Sequence, residues 1–177
     1  MPTVWYFAYG SNMQTATLCR RRGVACHRAL PARVRTWRVV FDKPPLLPLG
    51  ESFANLVPDP AGEALGVVFE IDAVDITHID FTEGVLIGNY RRIEIAAEPL
   101  VTDAPESLMA HTLVSERRDP TLRPSERYMA LLIAGAREHG LPEEYVAALE
   151  RVPARPESED AARLRPLLDR FMKRGTR

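Results

Sequence analysis

The sequence predicts an α+β protein: a small, mostly antiparallel sheet, closed or curled, with helices gathered after it. Two observations carry that reading. Runs of β-branched and aromatic residues, each of strand length and broken by turn residues, recur from Val4 to Ser115. Beyond Ser125 the apolar spacing changes to that of helices.

Taken in order, Val4 to Tyr9 is the first strand, and it ends at Gly10. Ser11 or Asn12 can cap a helix running to about Arg22. Arg20, Arg21 and Arg22 then suit its C-terminal dipole, and Gly23 suits the position after its last turn. Ala32 to Phe41 alternates as a strand. Pro44 to Pro60 is rich in proline and reads mostly as loop, with a short strand at Phe53 to Val57. Leu65 to Ile71 is a near-continuous apolar run, a buried strand. Asp72 to Thr82 fits a short helix with Asp72 as N-cap and Gly84 just past its end. Tyr90 to Ala97 and Leu108 to Ser115 are the remaining strands. Ser125 to His139 is helical, with Tyr128, Leu131, Leu132 and Gly135 at helical spacing and Gly140 closing it. Pro142 to Val152 is a second helix with Pro142 at N1. Glu157 to Arg174 is a third, striped by Leu164, Leu167, Leu168, Phe171 and Met172, and Pro166 should kink or split it.

The 177 residues suit a single domain spanning 1–177. Hydrophobic residues at 46% and charged residues at 27% are ordinary globular values. A formal net charge of -1 gives no electrostatic case for nucleic acid or an anionic membrane as partner. No apolar stretch approaches the ~20 residues of a membrane helix. Cys19 and Cys26 lie too far from further ligands to form a metal site, and His27 alone does not supply them. Without a secretory leader pattern, both cysteines read as reduced thiols of a cytoplasmic protein. The four histidines show no ligand spacing, so each reads as structural.

Two places could carry chemistry. The backbone N–H groups of Gly10, Ser11 and Asn12 can converge on one point at a helix N-terminus, forming a cradle for a carboxylate or phosphate. An ordinary capped helix after a tight turn accounts for the same residues. Glu83 follows a helix C-terminus and precedes Gly84. Burial by Phe81 and Val85, together with that negative helix end, would favour its neutral form and suit a general base. A solvated loop carboxylate is the simpler alternative.

Three segments in one order sharpen the choice. Phe7-Ala8-Tyr9-Gly10-Ser11-Asn12-Met13 resembles the N-terminal substrate loop of the gamma-glutamylcyclotransferases. Glu83-Gly84-Val85, followed by Gly88-Asn89-Tyr90, resembles the segment carrying that family's catalytic glutamate. Pro124-Ser125-Glu126-Arg127-Tyr128, with Gly135-Ala136-Arg137-Glu138-His139-Gly140-Leu141-Pro142, resembles its C-terminal helical signature. Two departures stand out: Asp80-Phe81-Thr82 is more apolar than animal members suggest, and Asn89 replaces a more apolar residue.

The resemblance implies a small mixed, mostly antiparallel β-barrel flanked by helices. It implies release of 5-oxoproline from a small γ-glutamyl substrate, a reaction of glutathione metabolism that needs neither metal nor organic cofactor. It gives Glu83 the role of acid/base catalyst. Tyr6, Phe7, Ala8, Tyr9, Gly10, Ser11 and Asn12 become the substrate loop, and Tyr90 and Tyr128 become further substrate contacts. Nucleic acid and membrane are excluded as partners by this reading, and a homodimer is compatible with it. A related cyclotransferase acting on another γ-glutamyl metabolite, and a non-catalytic binding module on the same fold, are the alternatives.

Overall fold

The computed structural model describes residues 1–173. The C-terminal end expected for the third helix, Arg174, lies outside them. Five strands close into a barrel: β1 (Thr3–Ala8), β2 (Cys26–Lys43), β3 (Phe53–Asp72), β4 (Arg91–Pro99) and β5 (Leu108–Val114), in the spatial order β1-β3-β2-β4-β5. Only the closing pair, β1 with β5, is parallel, with Tyr6 opposite His111; every other pairing is antiparallel. The mixed, mostly antiparallel barrel expected of the sequence is thus observed, and closure leaves no open sheet edge.

The largest difference lies in the proline-rich stretch. Only residues 44–52 are loop there, and β3 runs unbroken from Phe53 through Pro58 and Pro60 to Asp72. Prolines are tolerated where the ladder does not need their missing N–H. Here residues 59–62 have no partner on β2, because the register passes from Trp37 opposite Pro58 to Arg35 opposite Glu63. The long β2–β3 ribbon supplies most of the barrel wall, and Phe7, Phe69, Leu56, Val67 and Ile71 are fully buried inside the core.

The segment after β1 also departs from expectation. Instead of one capped helix there is a 3-10 turn at Ser11–Met13 and a π-helical stretch at Ala16–Arg21. Neither Ser11 nor Asn12 caps through its side chain, and a three-residue turn brings little helix dipole. Cys19 and Cys26 are joined as a disulfide across this region, which corrects the reading of both as reduced thiols. Sequence spacing could not show the pairing. It depends on the turn through Gly23, at φ 73°, between the π-helical stretch and β2, which brings the two Cα atoms within 5.9 Å. A bridge closing so short a loop contributes roughly 2 kcal/mol. Cys19→Ser should therefore lower the urea unfolding free energy by about that amount, and dithiothreitol should have the same effect on the wild-type protein but none on the variant.

The helices are α1 (Asp75–Thr82), α2 (Glu126–Glu138), α3 (Glu143–Glu150) and α4 (Glu159–Met172). α1 begins later than expected. Asp72 stays in β3 opposite Thr3 and gives its carboxylate to His27 at 2.8 Å, so it is not a cap. α2 starts as its sequence suggests: the Ser125 hydroxyl accepts from the Tyr128 N–H, and Tyr128, Met129, Leu132, Gly135 and Ala136 face the core. In α3, Pro142 is the N-cap residue rather than the first helical one. Pro166 does not split α4; it stands on the exposed side, where the carbonyl it frees can face water. Of the apolar stripe expected on α4, Leu167 and Phe171 remain more than half exposed. No helix among the described residues is long and apolar enough to cross a membrane.

Candidate active site

A cavity of about 300 Å³ opens at one end of the barrel. Its walls are the turn after β1, the end of β2, the start of β3, the end of α1, the first turn of α2 and the inner side of α4. Tyr6, Tyr9, Gly10, Ser11, Asn12, Glu83, Tyr90 and Tyr128 all line it, so residues from three distant parts of the sequence meet there as expected. Phe7 and Ala8 do not. Phe7 is fully buried in the core, its carbonyl accepting from the Thr112 hydroxyl at 2.8 Å, and Ala8 pairs with Val67 in the ladder. Their backbone is committed to the sheet, which leaves Gly10 to Asn12 as the turn open to a ligand. The 44–52 loop borders the cavity through Pro45, Leu46, Leu47 and Leu49.

Glu83 is the residue that ends α1, and its N–H donates to the Ile79 carbonyl at 2.9 Å. Gly84 follows with φ 72°, a conformation that favours glycine and turns the chain sharply beneath the carboxylate. The side chain is one-fifth exposed, at 19%. What encloses it differs from expectation. Phe81 is 54% exposed and packs on Phe171, whereas the Arg22 guanidinium forms an ion pair with Glu83. Arg22 is itself buried and also donates to the Thr82 hydroxyl at 2.8 Å. Both Arg22 and the Asn12 amide (3.5 Å) reach the same carboxylate oxygen, Oε1. Oε2 takes no hydrogen bond among the described residues.

Four phenols surround this carboxylate, and burial pushes each of them up. Tyr6 is raised to about 12, with the Glu83 charge adding to the effect, and its hydroxyl accepts from the Asn12 amide at 3.1 Å. Tyr9, whose hydroxyl donates to the Leu113 carbonyl at 2.5 Å, and Tyr90, whose hydroxyl donates to the Ala54 carbonyl at 3.4 Å, are raised well above 10. Tyr128 is raised too, chiefly by burial. All four are neutral at physiological pH and act as hydrogen-bonding groups rather than bases. The Tyr128 hydroxyl accepts the Ala54 N–H at 3.1 Å and stands against the turn: a side chain at position 10 would put its Cβ 3.0 Å from that oxygen. Gly10, with φ -114°, therefore serves the close approach of Tyr128 and not a left-handed conformation.

Three residues of the cavity were not singled out as site residues from the sequence. Arg22 was read as a partner of the helix dipole, and its pairing with Glu83 spans 61 positions. Lys43 ends β2 and is 1% exposed; its ammonium donates to the Asn89 side-chain carbonyl at 2.5 Å and lies 4.4 Å from the Tyr90 ring centre. Asn89 is the departure noted above, and its amide donates to the Glu83 main-chain carbonyl at 2.8 Å. Only the unexpected polarity of Asn89 was visible in the sequence. No histidine lines the cavity: His139 ends α2, shares a hydrogen bond with the Thr15 hydroxyl at 3.2 Å, and is lowered by burial. Among the described residues no group of three or more His, Cys, Asp and Glu is placed to hold a metal ion.

A barrel that brings the turn after β1, the Glu83 carboxylate and a buried tyrosine to one cavity is the arrangement that the resemblance to the gamma-glutamylcyclotransferases implies. Comparison with known proteins agrees. Residues 63–149 match the model of the AIG2-like family. The chain is 27% identical to the bovine gamma-glutamylcyclotransferase over 154 residues, covering 83% of this chain and 77% of that protein. It is 29% identical to the mouse gamma-glutamylcyclotransferase, with 85% and 79% covered. A solved gamma-glutamyl cyclotransferase structure, 23% identical, superposes with a TM-score of 0.75 over 96% of this chain and 99% of its own, which establishes the shared fold.

Proposed function

We propose that the protein is a γ-glutamyl cyclotransferase that converts a γ-glutamyl amino acid or amine to 5-oxoproline and a free amine, with Glu83 as acid/base catalyst. The observation that carries this reading is the place of Glu83 in the cavity wall, with two donors on Oε1 and none on Oε2 among the described residues. An α-amine has a pKa of roughly 8 and is mostly protonated near neutral pH, so it cannot attack until a base removes a proton. Glu83 accepts that proton. The amine nitrogen then bonds to the γ-carbonyl carbon; Glu83 hands the first proton to the departing nitrogen and takes a second from the new ring nitrogen, the bond from that carbon to the departing nitrogen breaks, and the second proton follows the first, so that the amine leaves as an ammonium. Atoms balance with no water consumed.

The remaining residues bind and bend the substrate. The turn Gly10 to Asn12 presents N–H groups and amide donors suited to the glutamyl carboxylate. Tyr128, neutral and fixed against that turn, is positioned to hydrogen-bond the glutamyl group, and Tyr90 closes the same wall. Holding the flexible glutamyl chain bent places amine and carbonyl in near-attack geometry, an effect worth roughly 7 kcal/mol or more in favourable cases. The relatives that bear the name gamma-glutamylcyclotransferase support the same reaction class.

The test is to incubate purified protein with a panel of γ-glutamyl dipeptides and γ-glutamyl amines and to quantify 5-oxoproline. Turnover of at least one compound is expected. If none yields 5-oxoproline, the enzymatic reading falls and a binding module on this fold takes its place. A cytoplasmic location belongs to the same reading; the Cys19–Cys26 disulfide would there stand against a reducing medium, and trapping free thiols at the moment of lysis reads its state in the cell.

A further inference from the structure

The charges around the catalytic carboxylate do not balance. Arg22, Lys43 and Arg117 converge on Glu83 and Asn89, and Glu83 is the single carboxylate among them. Arg22 already neutralises Glu83. Arg117 donates to the Asn89 side-chain carbonyl at 2.8 Å and to the Pro45 carbonyl at 3.2 Å, neither of which carries charge. Among the described residues Lys43 also has only neutral direct contacts, Asn89 and the face of Tyr90. An ammonium has three donors, and one is used here. A buried ammonium without a carboxylate in contact is costly unless something anionic completes the site.

We propose that Lys43 receives the carboxylate of the departing amino acid and so selects γ-glutamyl amino acids over γ-glutamyl amines. The inference rests on the cyclotransferase reading above. Its geometry follows from Asn89, whose two side-chain atoms bracket the positions involved: the amide holds the Glu83 main chain at 2.8 Å and the carbonyl holds the Lys43 ammonium at 2.5 Å. The departing nitrogen must lie beside Glu83 to take its proton. In an amino acid the carboxylate is two bonds from that nitrogen, so it falls within the neighbourhood that Asn89 spans. The glutamyl carboxylate has its own cradle at Gly10 to Asn12, which leaves Lys43 for the second one. A γ-glutamyl amine brings no second carboxylate and leaves the excess positive charge in place. Burial lowers Lys43 to about 8, with Glu83 raising it and Arg117 lowering it further. At neutral pH the side chain is therefore still largely cationic.

The test compares γ-glutamylalanine with γ-glutamylethylamide, which differs by the missing carboxylate. The ratio of their kcat/KM values is measured for the wild-type protein, Lys43→Met and Lys43→Arg. We expect the wild type to favour γ-glutamylalanine, Lys43→Met to lower the ratio at least tenfold, and Lys43→Arg, which keeps a cation, to retain most of it. The unfolding midpoint of each variant identifies loss of fold, which would lower both rates and leave the ratio unmoved. A ratio in folded Lys43→Met within twofold of the wild-type value overturns the inference, and it does so whether Lys43 holds the glutamyl carboxylate instead or merely fills space. If neither compound is turned over, calorimetric binding of γ-glutamylalanine to wild type and Lys43→Met decides. Binding weakened at least tenfold by the substitution supports the lysine site while the catalytic reading fails. Equal binding, or none to either protein, overturns both.

Discussion

Glu83→Gln should reduce 5-oxoproline formation by roughly 10²- to 10⁴-fold, the range typical for loss of a general acid/base. Glutamine keeps the size of the side chain and can still meet Asn12. It cannot take a proton from the substrate amine, so the loss belongs in kcat, with KM changed little. A structural cost accompanies it. Arg22, 7% exposed in its side chain, loses its counter-charge while keeping the Thr82 hydroxyl. Leaving a buried charge partly uncompensated costs of order 1–3 kcal/mol. Unfolding of Glu83→Gln in urea must therefore be measured beside its kinetics. A folded variant that binds γ-glutamylalanine without turning it over supports the assigned role. One that keeps more than a tenth of the wild-type kcat removes Glu83 from the mechanism.

The second large effect is expected at Gly135, far in sequence from Glu83. α2 crosses the turn after β1 at this residue. A Cβ there would lie 2.6 Å from the Gln14 nitrogen and 2.8 Å from the Met13 carbonyl carbon. These are backbone atoms and cannot rotate aside as a flexible side chain could. Alanine would add about 1 kcal/mol of helix propensity over glycine. Overpacking against the turn works in the opposite direction, commonly by 1–3 kcal/mol and sometimes more. Gly135→Ala should therefore be less stable than wild type by about 1–2 kcal/mol. It should also displace the Ser11–Met13 turn, with kcat/KM falling at least tenfold. Stability from urea unfolding and kinetics on the same preparation check both parts. A variant as stable and as active as wild type would show that the turn yields freely to α2.

These two positions show how far the sequence could be read. Glu83, Gly10 to Asn12 and Tyr128 were legible because each sits at a local punctuation mark. Glu83 stands between a helix end and Gly84, the turn follows a strand that stops at Gly10, and Tyr128 follows the Ser125 cap. Such marks depend on neighbours along the chain, so local pattern and resemblance both find them. That Gly135 must be glycine was not legible. Its spacing placed it on the inner face of a helix, but its constraint comes from Met13 and Gln14, more than a hundred residues away.

By itself the amino-acid sequence determined the α+β class, the presence of most strands and helices, and the order of the three segments that supply the cavity. Alternation, helical spacing and caps are short-range properties of the chain, which is why they could be read there. Tertiary structure alone decided the rest. It drew β3 through Pro58 and Pro60, because the β2 register leaves residues 59–62 unpaired. It joined Cys19 to Cys26, because the chain turns through Gly23, at φ 73°, between the π-helical stretch and β2. It set Arg22 against Glu83 and Lys43 against Asn89, because barrel closure carries β2 and the end of α1 to the same cavity. Charges that meet only through closure leave no periodic trace in a sequence, and here they surround the carboxylate that the sequence did single out.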